Sequence, residues 1–448
     1  MCGISGLFNF TNRNIEAKKI ISKIVKAQNL RGPDDNSQWQ SDCKKVLFGH
    51  NRLSIIDLST NGKQPFISLD NNFIITFNGE IYNFKEIKKE LISKNIKFRS
   101  NSDTEVIIES YKFWGLEFLN KLRGMFSFAL WDDLSKKLIL ARDPFGIKPL
   151  YYSIKNGVCY FASQVKSFKS INEISNEKSE AGTVSFFMWG HVQEPYTLYK
   201  DIKSLEKGSC MVIDISGNIK NIKYADIKKE IIEANPLNLK NYNEKIEYLR
   251  ECIEETVRYH QISDVPITFL LSSGIDSSTI ISSTKNKKNC NALTLDLDEG
   301  KQVYNEKFLA KKTAEINSIP HVVEKINQEE VNFLIDQFFK SMDQPTNDGL
   351  NSFLISYISK KKLNSKVIIS GVGGDEFFFG YPSFTRIQKI NNMMKFIPNF
   401  KIVDKIFKTY FYKFLKRKKL NTKVSGIYSY GRSTENTFLL QRSAFLKH

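Results

Sequence analysis

Twice in this chain an apolar run ends in a loop of small residues that carries one aspartate, and a helical pattern follows. The first is Val265–Leu271 running into Ser272-Ser273-Gly274-Ile275-Asp276-Ser277-Ser278. The second is Lys366–Ser370 running into Gly371-Val372-Gly373-Gly374-Asp375-Glu376. Further strand-like runs at Ala292–Leu297 and His321–Glu324 alternate with helical patterns over 304–317, 328–342 and 350–362, after a helix over 244–259. That alternation predicts a parallel sheet wound with helices, in which ligands gather beyond the carboxyl ends of the strands. Small residues there let backbone N–H groups and serine hydroxyls cradle an anion, helped by the helix dipole. Asp276 cannot hold a phosphate directly, so it implies an intervening Mg²⁺. The pattern lacks the Gly-Lys-Ser/Thr of a Walker loop. An ordinary Ser/Asp cap accounts for one such loop equally well. Two of them, each with one aspartate, favour a clamp on a nucleotide phosphate and its metal.

The first 170 residues follow a different plan. Short strand-like runs at 46–50, 73–77 and 137–141 alternate with helical patterns around 15–28, 84–94 and 103–122, with turns at Arg31-Gly32-Pro33-Asp34 and Asp70-Asn71-Asn72. A mixed α+β domain with stacked sheets fits this order. From 216 to 243 the chain turns polar and rich in Asn and Lys, which marks a linker between a domain over 2–215 and another over 244–448.

The chain opens Met1-Cys2-Gly3-Ile4-Ser5-Gly6. A small second residue allows the initiator Met to be removed, leaving Cys2 with a thiol and a free α-amine. An α-amine with a pKa near 8 can accept the thiol proton, so one residue would carry nucleophile and base together. Taken alone, a cysteine near a terminus is more often a small hydrophobe. In Phe77-Asn78-Gly79-Glu80, an Asn amide and a glycine N–H make a candidate oxyanion hole, although Asn-Gly is also a common hairpin turn. Arg52 is suited to grip a carboxylate and Asp103 an ammonium group, as an amino-acid ligand requires.

A formal net charge of +18 raises nucleic acid as a partner, but the lysines are spread along the whole chain and form no recognisable module. No apolar run reaches the ~18 residues of a membrane helix, and the start lacks a signal-peptide pattern, so a cytoplasmic protein is expected. The six cysteines are scattered without C-x-x-C spacing or histidine clustering, which argues against disulfides and zinc. The stretch 407–419 is basic and aromatic. It reads first as a core-facing helix with a solvated basic face, and second as a contact for an anionic surface.

Together these segments resemble the glutamine-dependent asparagine synthetase family. The resemblance runs through Met1-Cys2-Gly3-Ile4, Arg31–Asp34, Arg52-Leu53-Ser54-Ile55-Ile56-Asp57, Asn78–Asn83, Ser102–Glu105 and Ala141–Tyr152, then through the two glycine loops. It implies an N-terminal nucleophile αββα glutaminase domain followed by an ATP-pyrophosphatase domain with a parallel sheet. It implies that Cys2 attacks the glutamine side-chain amide, that Asn78 and Gly79 stabilise the oxyanion, and that Arg52, Glu80 and Asp103 hold the glutamine backbone groups. Ammonia would pass through an internal tunnel to a site where a carboxylate attacks ATP to form an acyl-adenylate. There Leu271 and Leu295 would line the adenine pocket. Ser272, Gly274, Ser277, Ser370 and Gly371 would meet the nucleotide, and Asp276 and Asp375 would hold Mg²⁺. The implied partners are glutamine, ATP and aspartate or another carboxylate, with no nucleic acid and a possible homodimer.

The chain departs from that pattern in four places. Ser272-Ser273-Gly274 has serine where the family usually has the first of two glycines, and Asn101 stands where glycine often precedes the Ser-Asp pair. Val372 replaces a glutamate implicated in forming and consuming the adenylate, which favours an acceptor other than aspartate, such as a uronic-acid sugar. Acceptor recognition is expected in Asp343–Asp348. The C-terminal signature Arg-Val-Pro-Phe-Leu-Asp is missing, so the synthetase part is expected to be incomplete and its site less secure.

Overall fold

In a computed structural model of the protein, residues 1–297, 304–419 and 421–443 are described. The chain forms two compact units. The larger comprises residues 1–179, 194–344 and 350–370, and the smaller comprises 180–193, 345–349 and 371–448.

The N-terminal part of the larger unit holds twelve strands: β1 (Gly3–Asn9), β2 (Asp35–Gln40), β3 (Val46–Arg52), β4 (Phe66–Ile67), β5 (Phe73–Ile81), β6 (Gly124–Asp132), β7 (Lys137–Arg142), β8 (Tyr151–Lys155), β9 (Val158–Ala162), β10 (Lys203–Ser204), β11 (Ser209–Asp214) and β12 (Ile219–Lys223). They form two antiparallel six-stranded sheets, ordered β10-β8-β9-β1-β3-β2 and β12-β11-β7-β6-β5-β4. Strand alternation builds the layers. Ile4, Phe8 and Phe48 of one sheet pack on Ile74, Trp131 and Leu140 of the other. The opposite residues of the first sheet, Leu7, Leu47 and Tyr160, receive Ile20, Ile21 and Ile24 of the helix Ala17–Ala27. Phe73, Ile75 and Phe77 of the second sheet receive Phe84 and Ile87 of the helix Phe84–Ser93 and Val106 and Ile107 of the helix Asp103–Trp114. The layers are αββα, the arrangement that the resemblance implied.

The helix expected over 103–122 stops at Trp114, because Gly115 takes φ +58 and the chain tightens into a 3₁₀ segment to Lys121. Of the stretch read as a linker, Ile219–Lys223 is the strand β12, paired with β11, and Ile227–Glu233 is a helix.

The later part of the same unit is the expected parallel sheet, with β13 (Ile267–Leu270), β14 (Cys290–Leu297), β15 (His321–Ile326) and β16 (Val367–Ile369) in the order β15-β14-β13-β16. β13 pairs in parallel with β14 on one side and with β16 on the other. The strand order therefore reverses at β13, and the chain ends of β13 and β16 leave the sheet side by side at a switch point.

The smaller unit is helical, with Glu180–Trp189, Pro382–Lys395 and Thr434–Arg442 as its longer helices. Its 407–419 stretch is helical to Arg417, with Leu415 buried, Phe407 stacked on Tyr428 at 5.5 Å, and Tyr410 exposed. A solvated face over an aromatic anchor is what it presents. No helix among the described residues is long and apolar enough to cross a membrane.

Candidate active site

Strand alternation places the first cluster. Ile4 and Phe8 of β1 point between the two sheets, so Cys2, one step beyond the strand, continues that inward face. On β5 the inward residues are Ile74, Thr76, Asn78 and Glu80, which brings Asn78 and Glu80 to the end of the sandwich where Cys2 lies. The Asn78-Gly79 pair sits inside a paired strand, Asn78 opposite Ser127 and Gly79 opposite Phe126, so it is not a hairpin turn.

The Cys2 thiol lies against the backbone of Leu53, with the Leu53 N–H donating to Sγ at 3.4 Å and Sγ 3.6 Å from its carbonyl oxygen. The Cys2 carbonyl accepts from Arg31 Nε at 2.9 Å. In this chain Met1 precedes Cys2, and burial pulls the Met1 amine down to about 5. That amine belongs to Met1, which is 53% exposed, and not to Cys2.

Two candidate oxyanion donors stand side by side on β5. The Asn78 side chain is buried, and its Nδ2 has no hydrogen-bond partner among the described residues. Leaving a buried amide N–H₂ unpaired is costly, so a ligand oxygen is its natural acceptor. In β5 the N–H groups of Phe77 and Ile81 leave the sheet on the side away from β6, donating to Gln64 Oε1 at 2.7 Å and Asp103 Oδ2 at 3.0 Å. The two-residue period points the Gly79 N–H to that same edge. A Cβ at Gly79 would come within 2.3 Å of the Met125 carbonyl, so only glycine fits.

The charged groups are buried as well. Burial raises Glu80 to about 7, opposed by the neighbouring Lys148 cation and aided by Asp103. Burial raises Asp103 to about 6, opposed by the backbone N–H groups of Ile81 and Thr104. Burial also lowers Lys148, while Glu80 draws it back up. The folded protein therefore holds a proton on Glu80 that the unfolded chain, at 4.5, releases earlier. The sign follows: the contribution is full below the unfolded value and is lost as pH rises through the folded one. Glu80→Gln is expected to gain up to about 3 kcal/mol of stability on wild type between about pH 4 and about pH 8. Urea denaturation of both proteins across that range checks this.

Arg52 is buried at the end of β3, and its guanidinium donates to the carbonyl of Ser59 at 3.2 Å and to that of Asp57. It braces the loop after β3 and keeps further N–H donors for a carboxylate. Cys2, Arg52, Asn78, Gly79, Glu80 and Asp103 all come from the sandwich and its flanking loops, 101 residues apart in sequence at the extremes. Sequence reasoning did not single out Arg31 by itself, Leu53 or Lys148 as contributors. Their only signal was inclusion in longer runs of motif.

The second cluster begins where β13 ends. Ser277 Oγ lies 2.9 Å from Ser272 Oγ and accepts from the Ser272 N–H at 3.2 Å, while the Gly274 N–H donates to Ser272 Oγ at 3.0 Å. Gly274 is the cap of the helix Ile275–Ser282, and a Cβ there would press on Ser272 Oγ at 3.1 Å. Ser272 thus folds its hydroxyl into the loop, while Ser273, the serine in place of the first glycine, is exposed. Leu271 is buried, Leu295 is half-buried on neighbouring β14, and Ser370 follows β16. Asp276 lies in the first turn of that helix.

Gly371 and Asp375 belong to the smaller unit. There Gly373 adopts φ +105 and the Gly374 N–H closes a turn onto the Gly371 carbonyl at 3.2 Å. Gly380 leaves room for the Asp375 carboxylate, which a Cβ would strike. Val372 is 88% exposed. The expectation that Asp343–Asp348 reads an acceptor meets a different use of its first two residues. The Asp343 carboxylate accepts from the N–H groups of Val165 and Lys166 at 3.0 and 2.9 Å, and Gln344 Oε1 accepts from the Leu198 N–H at 3.0 Å. Both are spent inside the larger unit.

Comparison with known proteins follows this geometry. Residues 1–225 match the family described as glutamine amidotransferase domain, and residues 248–446 match the family described as asparagine synthase. Glutamine-hydrolysing asparagine synthetase 1 of Bacillus subtilis is 36% identical over 386 residues, covering 85% of this chain and 59% of that protein. A putative asparagine synthetase of Methanocaldococcus jannaschii is 29% identical, covering 89% of this chain and 79% of its own length. The amidase chry2 of Gibberella zeae is 28% identical over 86% of this chain and 60% of its own length. The chain spans 58–64% of the length of the first curated relatives it matches. Among solved structures, a glutamine phosphoribosylpyrophosphate amidotransferase of B. subtilis aligns at 17% identity with a TM-score of 0.38, over 77% of this chain and 71% of its own.

Proposed function

This chain belongs to the glutamine-dependent asparagine synthetase family, and from that premise we propose that it is an ATP-dependent amidotransferase fed by glutamine at Cys2. The observation that carries the reading is the buried Nδ2 of Asn78, unpartnered among the described residues, on the inward face of β5 that also carries Glu80. In the processed chain the α-amine belongs to Cys2 and takes the thiol proton. The thiolate attacks the side-chain carbonyl carbon of glutamine, and the oxyanion that forms is held by Asn78 Nδ2 and the Gly79 N–H. The ammonium then returns its proton to the departing nitrogen, which leaves as ammonia. Water, deprotonated by the same amine, cleaves the thioester to glutamate and restores the thiol. Arg52 holds the glutamine carboxylate, and Asp103 and Glu80 its ammonium.

At the second site the acceptor carboxylate attacks ATP, pyrophosphate leaves, and ammonia displaces AMP to form the amide. The Ser272–Ser277 loop suits a polyphosphate, since its hydroxyls and N–H groups converge at a helix N-terminus at the switch point of the sheet. Among the described residues no group of three metal-ligating side chains occurs. Asp276 and Asp375 are therefore single carboxylates of the kind Mg²⁺ takes alongside phosphate oxygens and water. Mg²⁺ would supply charge neutralisation on the pyrophosphate. Leu271 and Leu295 line the adenine side, and Ser370 and Gly371 adjoin the phosphates. The glutaminase part extends through β12 to Lys223, so the stretch that connects it to the synthetase-type part is shorter than 216–243.

Aspartate is the first acceptor to test. Val372 favours a second reading, a uronic-acid sugar or other carboxylate, because an exposed valine accepts no proton and pairs with no ammonium. Glutamine-dependent pyrophosphate release measured with aspartate and with uronic acids separates the two. No release with any acceptor would leave only the glutaminase. Ser277→Ala removes the hydroxyl that organises the loop, and is expected to raise the KM for ATP by roughly tenfold with glutamine hydrolysis unchanged. Intact-mass measurement must find the chain without Met1, since a retained methionine leaves Cys2 no α-amine.

A further inference from the structure

Asp57 lies in the loop that follows β3, and it is a left-handed residue, with φ +51, in a position where only Gly, Asn and Asp settle readily. Its polar atoms are all engaged. Its carbonyl accepts from Arg52 Nη2, its Oδ1 accepts from the Ser59 N–H at 3.1 Å, and its Oδ2 accepts from the Asn101 N–H at 3.2 Å. Asn101 stands two residues before Asp103 and Arg52 ends β3, so one residue ties together the two groups assigned to the carboxylate and the ammonium of glutamine.

The fourth polar atom, the Asp57 N–H, donates to Oδ2 of Asp264 at 2.8 Å. The Asp264 N–H in turn donates to the Ile55 carbonyl at 3.0 Å. Asp264 therefore grips the loop at two points, on both sides of Ile56. It lies 207 positions away, in the turn that opens β13, and outside the residues that match the glutamine amidotransferase domain. The same loop carries Leu53, whose N–H meets the Cys2 thiol.

We propose that Asp264 is a positioning residue for the glutamine site, lent to it by the synthetase-type part of the chain. Through Asp57 it sets the spacing between Arg52 and Asp103, and so fixes how an α-amino acid is seated before Cys2. A charged acceptor on a backbone N–H is the stronger kind of hydrogen bond, and its loss frees a residue held in a conformation of limited stability. The inference rests on the glutaminase reading above.

Its test compares wild type, Asp264→Ala and Asp264→Asn in glutamate release from glutamine. Asp264→Ala is expected to raise the glutamine KM about tenfold with kcat within about twofold, because the clamp loosens while thiol and oxyanion donors stay. Asp264→Asn keeps an acceptor oxygen and is expected to recover most of the loss. Labelling of Cys2, followed by mass spectrometry of the N-terminal peptide, supplies a readout that general damage would not split. A diazoketone analogue of glutamine is expected to react several-fold more slowly in Asp264→Ala, while iodoacetamide, which needs no clamp, reacts as in wild type. An unchanged KM, a parallel loss in both reagents, or an Asn variant no better than Ala would each overturn the proposal. If Asp264→Ala does not fold, Asp264→Ser, whose hydroxyl is too short to reach, takes its place under the same criteria. Wild type that releases no glutamate and takes no diazoketone would instead refute the glutaminase reading itself.

Discussion

Cys2→Ala is expected to lower glutamine-dependent glutamate release by roughly ten-thousandfold or more, since a covalent mechanism without its nucleophile keeps only binding and oxyanion stabilisation. The arrangement gives no substitute. The groups gathered with Cys2 are Arg31 on its carbonyl and Leu53 on its sulfur, with the charges of Lys148 and Glu80 nearby, and none of them is a thiol. Cys2→Ser is expected to fare nearly as badly. A hydroxyl is a far weaker acid than a thiol near 8.5, so the same terminal amine generates much less of the attacking anion. Pyrophosphate release driven by added ammonium salt, with ATP and the acceptor carboxylate, is expected to continue in both variants. Loss of the ammonia-driven reaction as well would mean that Cys2 holds the structure together rather than performing the chemistry. Coupled assays for glutamate and for pyrophosphate, run on the same preparations, decide between these outcomes.

Asn78→Ala is expected to reduce kcat for glutamine hydrolysis by about 10²–10³-fold, the usual loss of one oxyanion donor. The KM should move little, because the donor is needed most when charge develops on oxygen and contributes less to binding the neutral amide. The structural reason for expecting so large an effect is that Nδ2 is already buried and has no partner among the described residues, so no hydrogen bond to them must be broken to meet the oxyanion. The cost of that unpaired group is borne by the rest of the fold. Asn78→Ala should therefore be at least as stable as wild type, within the cost of a small cavity. A kcat loss accompanied by a clear rise in thermal stability would be the signature of a preorganised donor. A stability loss of several kcal/mol with an unchanged kcat would assign Asn78 to packing instead.

How much of this was legible beforehand differs between the two sites. The two glycine loops announced themselves, because a parallel strand, a small-residue turn and a helix leave a local pattern of apolar run, Ser and Gly, and renewed periodicity. The structure realises both at adjacent strands, β13 and β16. The helix read over 103–122 came out short because a single Gly115 at positive φ outweighed an apolar pattern that continued beyond it. Asp343–Asp348 was expected to recognise the acceptor from its place in the family pattern, but the Asp343 carboxylate accepts from two backbone N–H donors and is already satisfied. Nothing in that stretch signalled partners at Val165, Lys166 and Leu198.

Cys2, too, was defined by position: the chemistry of a terminal thiol with its own amine can be read from two residues. Sequence by itself marked strands such as Phe73–Phe77 and the run ending at Leu271, and once a segment is a strand its two-residue period sets that Ile4 and Phe8 share one face and Asn78 and Glu80 another. Those are short-range consequences of backbone periodicity. Only the tertiary structure decided that the two faces meet, that Lys148 lies beside Glu80, and that Asp264 reaches back across 207 positions to hold Asp57. Such pairings depend on how the sheets stack and where a distant turn returns. Local spacing fixes neither, because a hydrogen bond between remote residues leaves no periodic trace in either segment.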